Sequence, residues 1–188
     1  MRRPKIAIVG AGGYVFPTRL VVDILSFREL QDSVIHLYDI NPKTLAKTRA
    51  NVNRLVSKNY LPTVIESGTN RKKALANADY VIVAFQVGGT EAYGHDVNIP
   101  RKYGMDQCVG DTLGPGGVFR GLRSIGALEQ IAMDIKQLCP DALMIQYANP
   151  MAMNCLATQL LGIRTVGLCH SVQGTTWMLS HRLGIPYE

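Results

Sequence analysis

A chain of 188 residues, 47% apolar and 18% charged, can build one packed domain, or one domain and the start of a second. That balance excludes an intrinsically disordered chain, and no apolar run is long enough to span a membrane. The net charge of +6 comes partly from Arg2-Arg3-Lys5 and Arg71-Lys72-Lys73. Neither cluster is interleaved with aromatics or joined to a nucleic-acid motif, so both read as solvated faces, and neither nucleic acid nor membrane is an expected partner.

In chain order, Lys5-Ile6-Ala7-Ile8-Val9 predicts a buried first strand. The apolar stretch is too short and too soon broken by glycine for a signal peptide, which points to the cytoplasm. A glycine turn from Gly10 leads into a helix over 14–30. A strand over 34–39 ends at Asp39, and a helix over 43–58 follows. Next come a strand over 63–66, a helix over 70–77 and a strand over 79–85. The stretch 87–117 is rich in glycine and reads as a long irregular ligand loop. A helix over 118–138, a strand over 142–147, a helix over 150–161 and a strand over 164–168 complete the pattern. Asn149-Pro150 reads as a helix start, with Asn as cap and Pro at the first helical position, and Gly162 as its stop. Alternation of this kind predicts an α/β fold: a Rossmann-like, doubly wound parallel sheet with helices on both faces. The runs VIVAF and LMIQY are continuously apolar, as strands covered on both sides must be. The last residues, 183–188, look like a helix entering a turn, and the chain reads as a fragment.

Gly10 and Gly12 follow the first strand and precede the first helix. That placement gives a tight turn and lets the backbone approach a pyrophosphate at the helix N-terminus. The third position of the fingerprint, Val15, departs from the usual Gly or Ala. Asp39 closes the second strand, where a carboxylate accepts both ribose hydroxyls of adenosine and repels a 2′-phosphate. The reading is therefore NAD in preference to NADP. The alternative is a glycine turn without a ligand.

Of Cys108, Cys139, Cys155 and Cys169, no two form a C-x-x-C pair, which argues against a zinc ribbon or a disulfide framework. Three read as small buried hydrophobes. Cys169-His170 differs, because it ends a strand where open α/β sheets bind ligands. A metal ligand beside an acid–base group, a nucleophile pair, and a buried thiol with a satisfied imidazole all remain open. Asn149, at the end of the preceding strand, is either a helix cap or a partner for polyol hydroxyls.

The segments GAGGYVF (10–16), LYDIN (37–41), FQVGG (85–89), Gly110–Gly117, YANPM (147–151) and GLCHSV (167–172) occur in order along the chain. Together they resemble glycoside hydrolase family 4, and CHSV with TLGPGG resembles its α-galactosidase branch. The resemblance implies tightly held NAD and Mn2+, and hydrolysis by oxidation at sugar C3, elimination, water addition and re-reduction. NAD is not consumed overall, an exception to two-carboxylate glycoside hydrolysis. By position, Cys169 is then the metal ligand, His170 the acid toward the leaving oxygen, and Asn149 the sugar-binding amide. Gly10, Gly12, Gly13, Phe16 and Asp39 hold NAD. Gly13 stands where the family commonly has Ser or Thr. The family's second metal ligand and its tyrosine base fall beyond residue 188. This implies an NAD-binding domain over 1–168, the start of a catalytic domain over 169–188, no glycosidase activity in the isolated chain, and a homo-oligomer when complete. Three rivals remain: another glycoside specificity (α-glucoside or α-galacturonide), a lactate/malate-type dehydrogenase, and a non-catalytic NAD-binding module.

Overall fold

A computed structural model describes residues 2–107, 112–169 and 171–187. Six strands form one sheet: β1 (Lys5–Val9), β2 (Val34–Tyr38), β3 (Val64–Gly68), β4 (Tyr80–Val83), β5 (Leu143–Gln146) and β6 (Thr165–Gly167). All pairings are parallel and the spatial order is β3-β2-β1-β4-β5-β6. This is the expected doubly wound sheet. The winding reverses between β1 and β4, which opens a crevice at their carboxyl ends.

Strand periodicity divides the core in two. Ile6 and Ile8 of β1 join Ile35 and Leu37 of β2 beneath Leu20, Val21 and Leu25 of α1 (Phe16–Ser26) and Leu45 and Val52 of α2 (Pro42–Lys58). Ala7 and Val9 face the other way, with Val81, Val83 and Met144. They are covered by Ala74 and Leu75 of α3 (Arg71–Leu75) and by Leu128, Ile131 and Ile135 of the long helix α5 (Gly114–Leu138). Asn41 caps α2 by accepting from the amides of Lys43 and Thr44, and Asn70 caps α3 by accepting from that of Lys73.

Three expectations need correction. First, the glycine-rich stretch 87–117 is largely helical: α4 spans Gly89–Arg101, and α5 begins at Gly114. Intrinsic propensity hides α4, which contains Gly89, Gly94 and Pro100, but packing and a buried ion pair to α5 hold it. The glycines that open α5 serve packing, since a Cβ on Gly117 would lie 2.7 Å from the Thr112 carbonyl carbon. Second, Asn149 is not a helix cap. The residue before α6 (Met151–Leu160) is Pro150, and among the described residues no side chain caps this helix. Gly162 does stop it, with φ of +76°. Third, the first helix is shorter than 14–30: α1 ends at Ser26, and a 3-10 turn spans Arg28–Leu30. Beyond β6, α7 covers Ser171–Leu183. No helix among the described residues is long and apolar enough to cross a membrane.

Candidate functional site

The carboxyl ends of β1, β4 and β5 frame a cleft of about 1130 Å³. Gly10, Gly12, Gly13, Phe16, Asp39, Asn149 and Cys169 all line it, so seven of the eight residues singled out from the sequence share one cavity. The eighth, His170, lies outside the described residues.

The glycine turn is tied to β2. The amides of Gly10 and Ala11 donate to the Tyr38 carbonyl at 3.0 and 2.9 Å. The Gly12 amide donates to Asp39 Oδ2 at 2.7 Å, and the Asn41 amide to Oδ1 at 2.8 Å. Asp39 is therefore a strut of the turn as well as a wall of the cleft. A carboxylate has about four lone-pair sites, and these two bonds leave acceptor capacity for a ligand. Gly10 has φ of +92°, and a Cβ there would meet the Ala84 carbonyl oxygen at 2.6 Å. A Cβ on Gly12 would run into Thr44 Oγ1 and the Asp39 carboxyl. Both positions need glycine for close backbone approach. A Cβ on Gly13 would lie 3.3 Å from the Gly10 carbonyl oxygen, tighter than ordinary contact, so a side chain there requires the turn itself to give. Among the described residues no side chain caps α1, whose N-terminus follows the turn as a site suited to an anion. The observed turn, with glycine at both positions where the backbone must approach, fits a dinucleotide.

The other end of the cleft is built from β4, β5 and α5. Phe16 packs on Tyr147 with ring centroids 5.9 Å apart. Burial, aided by the charges of Asp23 and Cys169, pushes the Tyr147 phenol up from its ordinary value. Arg120, buried in α5, donates from Nε to the Asn149 carbonyl at 3.2 Å and from Nη2 to Gln86 Oε1 at 3.4 Å. The Gln86 amide donates in turn to the Gly89 carbonyl at 2.7 Å. Arg120 thus joins the ends of β4 and β5 under the cleft. Sequence reasoning missed Arg120, Gln86 and Tyr147 as site residues. No local signal marks Arg120, because its partners are 29 and 34 residues away in the chain.

Cys169 is exposed, which removes the buried-thiol reading. The Ser171 hydroxyl and amide lie 3.1 and 3.4 Å from Sγ at the start of α7. The amide donates to the sulfur, and hydrogen bonding with Ser171 holds the thiol below its ordinary value, as expected at a helix N-terminus. Burial pushes the thiols of Cys139 and Cys155 up instead; Cys139 is a buried core residue as read, whereas Cys155 is only partly buried. Cys108 lies outside the described residues. Among the described residues no group of three or more His, Cys, Asp or Glu side chains could hold a metal ion, so Cys169 offers one soft donor.

The family model for the family 4 glycosyl hydrolases matches residues 5–185. The chain is 45% identical to an alpha-galactosidase of Rhizobium meliloti (strain 1021), over 96% of its own length and 37% of the relative's. It is 42% identical to an alpha-galactosidase of Bacillus subtilis (strain 168), over 98% and 43% respectively. It is 35% identical to an alpha-glucosidase of Erwinia rhapontici, over 98% and 41%. The chain therefore spans about two-fifths of the length of these relatives. Among solved structures, a 6-phospho-alpha-glucosidase from gut microorganisms in complex with NAD and glucose-6-phosphate superposes with a TM-score of 0.78 at 30% identity. That match covers 90% of this chain and 38% of the other. A second 6-phospho-alpha-glucosidase from gut microorganisms, in complex with NAD and Mn2+, shares the fold with a TM-score of 0.85 at 21% identity, over 98% and 42%.

Proposed function

The chain belongs to family 4 of the glycosyl hydrolases, and from that premise we propose that it is the cofactor-binding part of an NAD- and Mn2+-dependent α-galactosidase. The observation that carries this reading is the convergence of the Gly10–Gly12 turn, Asp39, Asn149 and Cys169 on one cleft. Support for α-galactosides over other sugars comes from two relatives above 40% identity.

When bound, NAD supplies reversible hydride acceptance and the divalent cation supplies Lewis acidity toward the oxidised sugar. In this proposal the chain's own residues bind, orient and move protons. Gly10 and Gly12 let the pyrophosphate approach the backbone, with Gly13 and Phe16 completing that wall. Asp39 accepts from the ribose hydroxyls and repels a 2′-phosphate. The Phe16–Tyr147 pair covers the apolar floor and keeps water from it. Asn149, steadied through its carbonyl by Arg120, exchanges hydrogen bonds with sugar hydroxyls. Cys169, already biased toward thiolate by Ser171, offers sulfur to the cation. His170, next in sequence, donates the proton to the leaving oxygen. The division of the chain at 168/169, a small-molecule glycoside as the partner, a cytoplasmic setting and a homo-oligomeric complete enzyme belong to the same proposal.

The test is hydrolysis of chromogenic α-galactoside, α-glucoside and α-galacturonide by the full reading frame and by the 188-residue chain, omitting NAD+, Mn2+ and reductant in turn. The expected result is α-galactoside cleavage by the full frame that needs all three, and none by the chain alone. Cleavage independent of NAD+ overturns the mechanism. Preference for an α-glucoside favours the second reading, which the Erwinia rhapontici relative supports.

A further inference from the structure

Arg71 belongs to the basic cluster that the sequence places on a solvated face, and its surroundings contradict that placement. It opens α3 just beyond β3, yet its guanidinium reaches across to α5. Nε donates to Asp134 Oδ2 at 2.6 Å, and Nη2 to the Gln130 carbonyl at 3.4 Å. The Asp134 carboxylate is only 8% exposed, so it is a fixed, desolvated partner. The Arg71 side chain keeps 29% of its surface and lines the cleft, alongside Ala127 and Ile131 of α5 and Asp39 and Ile40 at the end of β2. A tether between α3 and α5 explains the ion pair. It does not explain why the cation faces a cavity.

The position in the fold gives the answer. In a sheet of this order, the end of β2 is where the adenosine half of a dinucleotide lies. Ala127, Ile131 and Ile40 give that end apolar walls. A guanidinium is a flat, delocalised and weakly hydrated cation that stacks on aromatic faces. Here two of its donors are spent on α5, so its plane is set before any ligand arrives. We infer that Arg71, held by Asp134, is the adenine-binding wall of the cleft and stacks on the base of an adenine nucleotide. The inference rests on the cofactor reading above and adds a residue to it.

The experiment titrates NAD+ and AMP into the 188-residue chain by calorimetry, and records the adenine absorbance near 260 nm as each binds. Arg71→Met and Arg71→Lys are compared with the unaltered chain, and each variant's melting temperature is measured. Lysine keeps the charge but lacks the plane. The expected result is about tenfold weaker binding of both ligands to Arg71→Met, with loss of the absorbance decrease that marks stacking. Arg71→Lys should recover little of either. Unchanged affinity and absorbance in Arg71→Met, with only a lower melting temperature, would make Arg71 a structural tether and overturn the inference. Should Arg71→Met fail to fold, Arg71→Lys with the affinity and spectrum of the unaltered chain overturns it equally. Absence of NAD+ and AMP binding to the unaltered chain overturns the cofactor reading itself, a result distinct from either variant outcome.

Discussion

At Gly12, one missing side chain decides whether the turn and the cleft can coexist. The Asp39 carboxyl and Thr44 Oγ1 occupy the space a Cβ would need, and Asp39 also accepts the Gly12 amide. Gly12→Ala should push Asp39 out of place. We expect a stability loss of about 1–3 kcal/mol from overpacking and at least about tenfold weaker NAD+ binding, read by denaturant titration and calorimetry. Retained affinity would mean that Asp39 does not wall the cofactor. This part of the site was legible in the sequence because strand, glycines and helix are contiguous, and Asp39 ends the next strand. Arg120, Gln86 and Arg71 were not legible. Each acquires its place only when elements distant in sequence meet, and nothing in a basic run such as Arg71-Lys72-Lys73 says which cation turns inward.

Two paired elements carry charge into the interior. Asp96 in α4, 1% exposed, receives both Nη atoms of Arg123 in α5 at 2.8 and 2.5 Å. The carboxylate holds the guanidinium charged more firmly than usual. Arg123→Met strands a buried carboxylate and should cost about 3–5 kcal/mol. Asp96→Leu together with Arg123→Met should recover much of that, since an apolar pair of similar volume often replaces a buried ion pair without loss. Urea denaturation of both single variants and the double gives the coupling, and simple additivity would refute it. This pair also explains why α4 escaped the sequence reading, which weighed its glycines but had no view of Arg123.

The second pair joins β2 to β3. His36, almost wholly buried, faces Glu66 Oε2 across 2.8 Å from Nδ1, while its buried Nε2 has no hydrogen-bond partner among the described residues. Burial lowers the imidazole below its ordinary 6.5, outweighing Glu66, and the nearby charges of Lys5 and Lys73 act in the same direction as burial. Glu66 is lowered below 4.5, first by its bond to His36. Since the fold favours neutral His36, its contribution is complete above pH 6.5. As pH falls the unfolded chain takes up the proton first, and the contribution is gone once pH passes below the folded value. The Glu66 contribution is present above 4.5 and is lost as pH falls through its own lower folded value. Stability should therefore decline with acid in two stages. His36→Asn should flatten the first stage, and superimposable acid profiles for the two proteins would exclude His36 as its cause.

For the molecule as a whole, the core and the cleft end differently. The sheet is packed on both faces from β2 to β5, whereas the three residues of β6 are only partly covered and no residue of α7 is buried. Val172, Trp177, Leu179 and Leu183 of α7 are all exposed, and Trp177 stacks on His181 of the same helix. A helix of this length is marginal in water without a packed face, since most helical stability comes from tertiary contacts. The site depends on it nonetheless, because the Ser171 amide and hydroxyl that hold the Cys169 thiol low stand at the start of α7. Whatever covers α7 thus also sets the chemistry of Cys169. In the 188-residue chain at low micromolar concentration, the α7 amides should exchange with solvent orders of magnitude faster than those of β1 and β4. The rate of Cys169 alkylation should then follow the helix: frayed α7 gives an ordinary thiol, ordered α7 a more acidic one. Raising the concentration should slow α7 exchange only if a second copy covers the face, in which case light scattering reports a dimer. Strong α7 protection in a chain shown to be monomeric would contradict the argument, because it would mean that this helix is stable with no face buried.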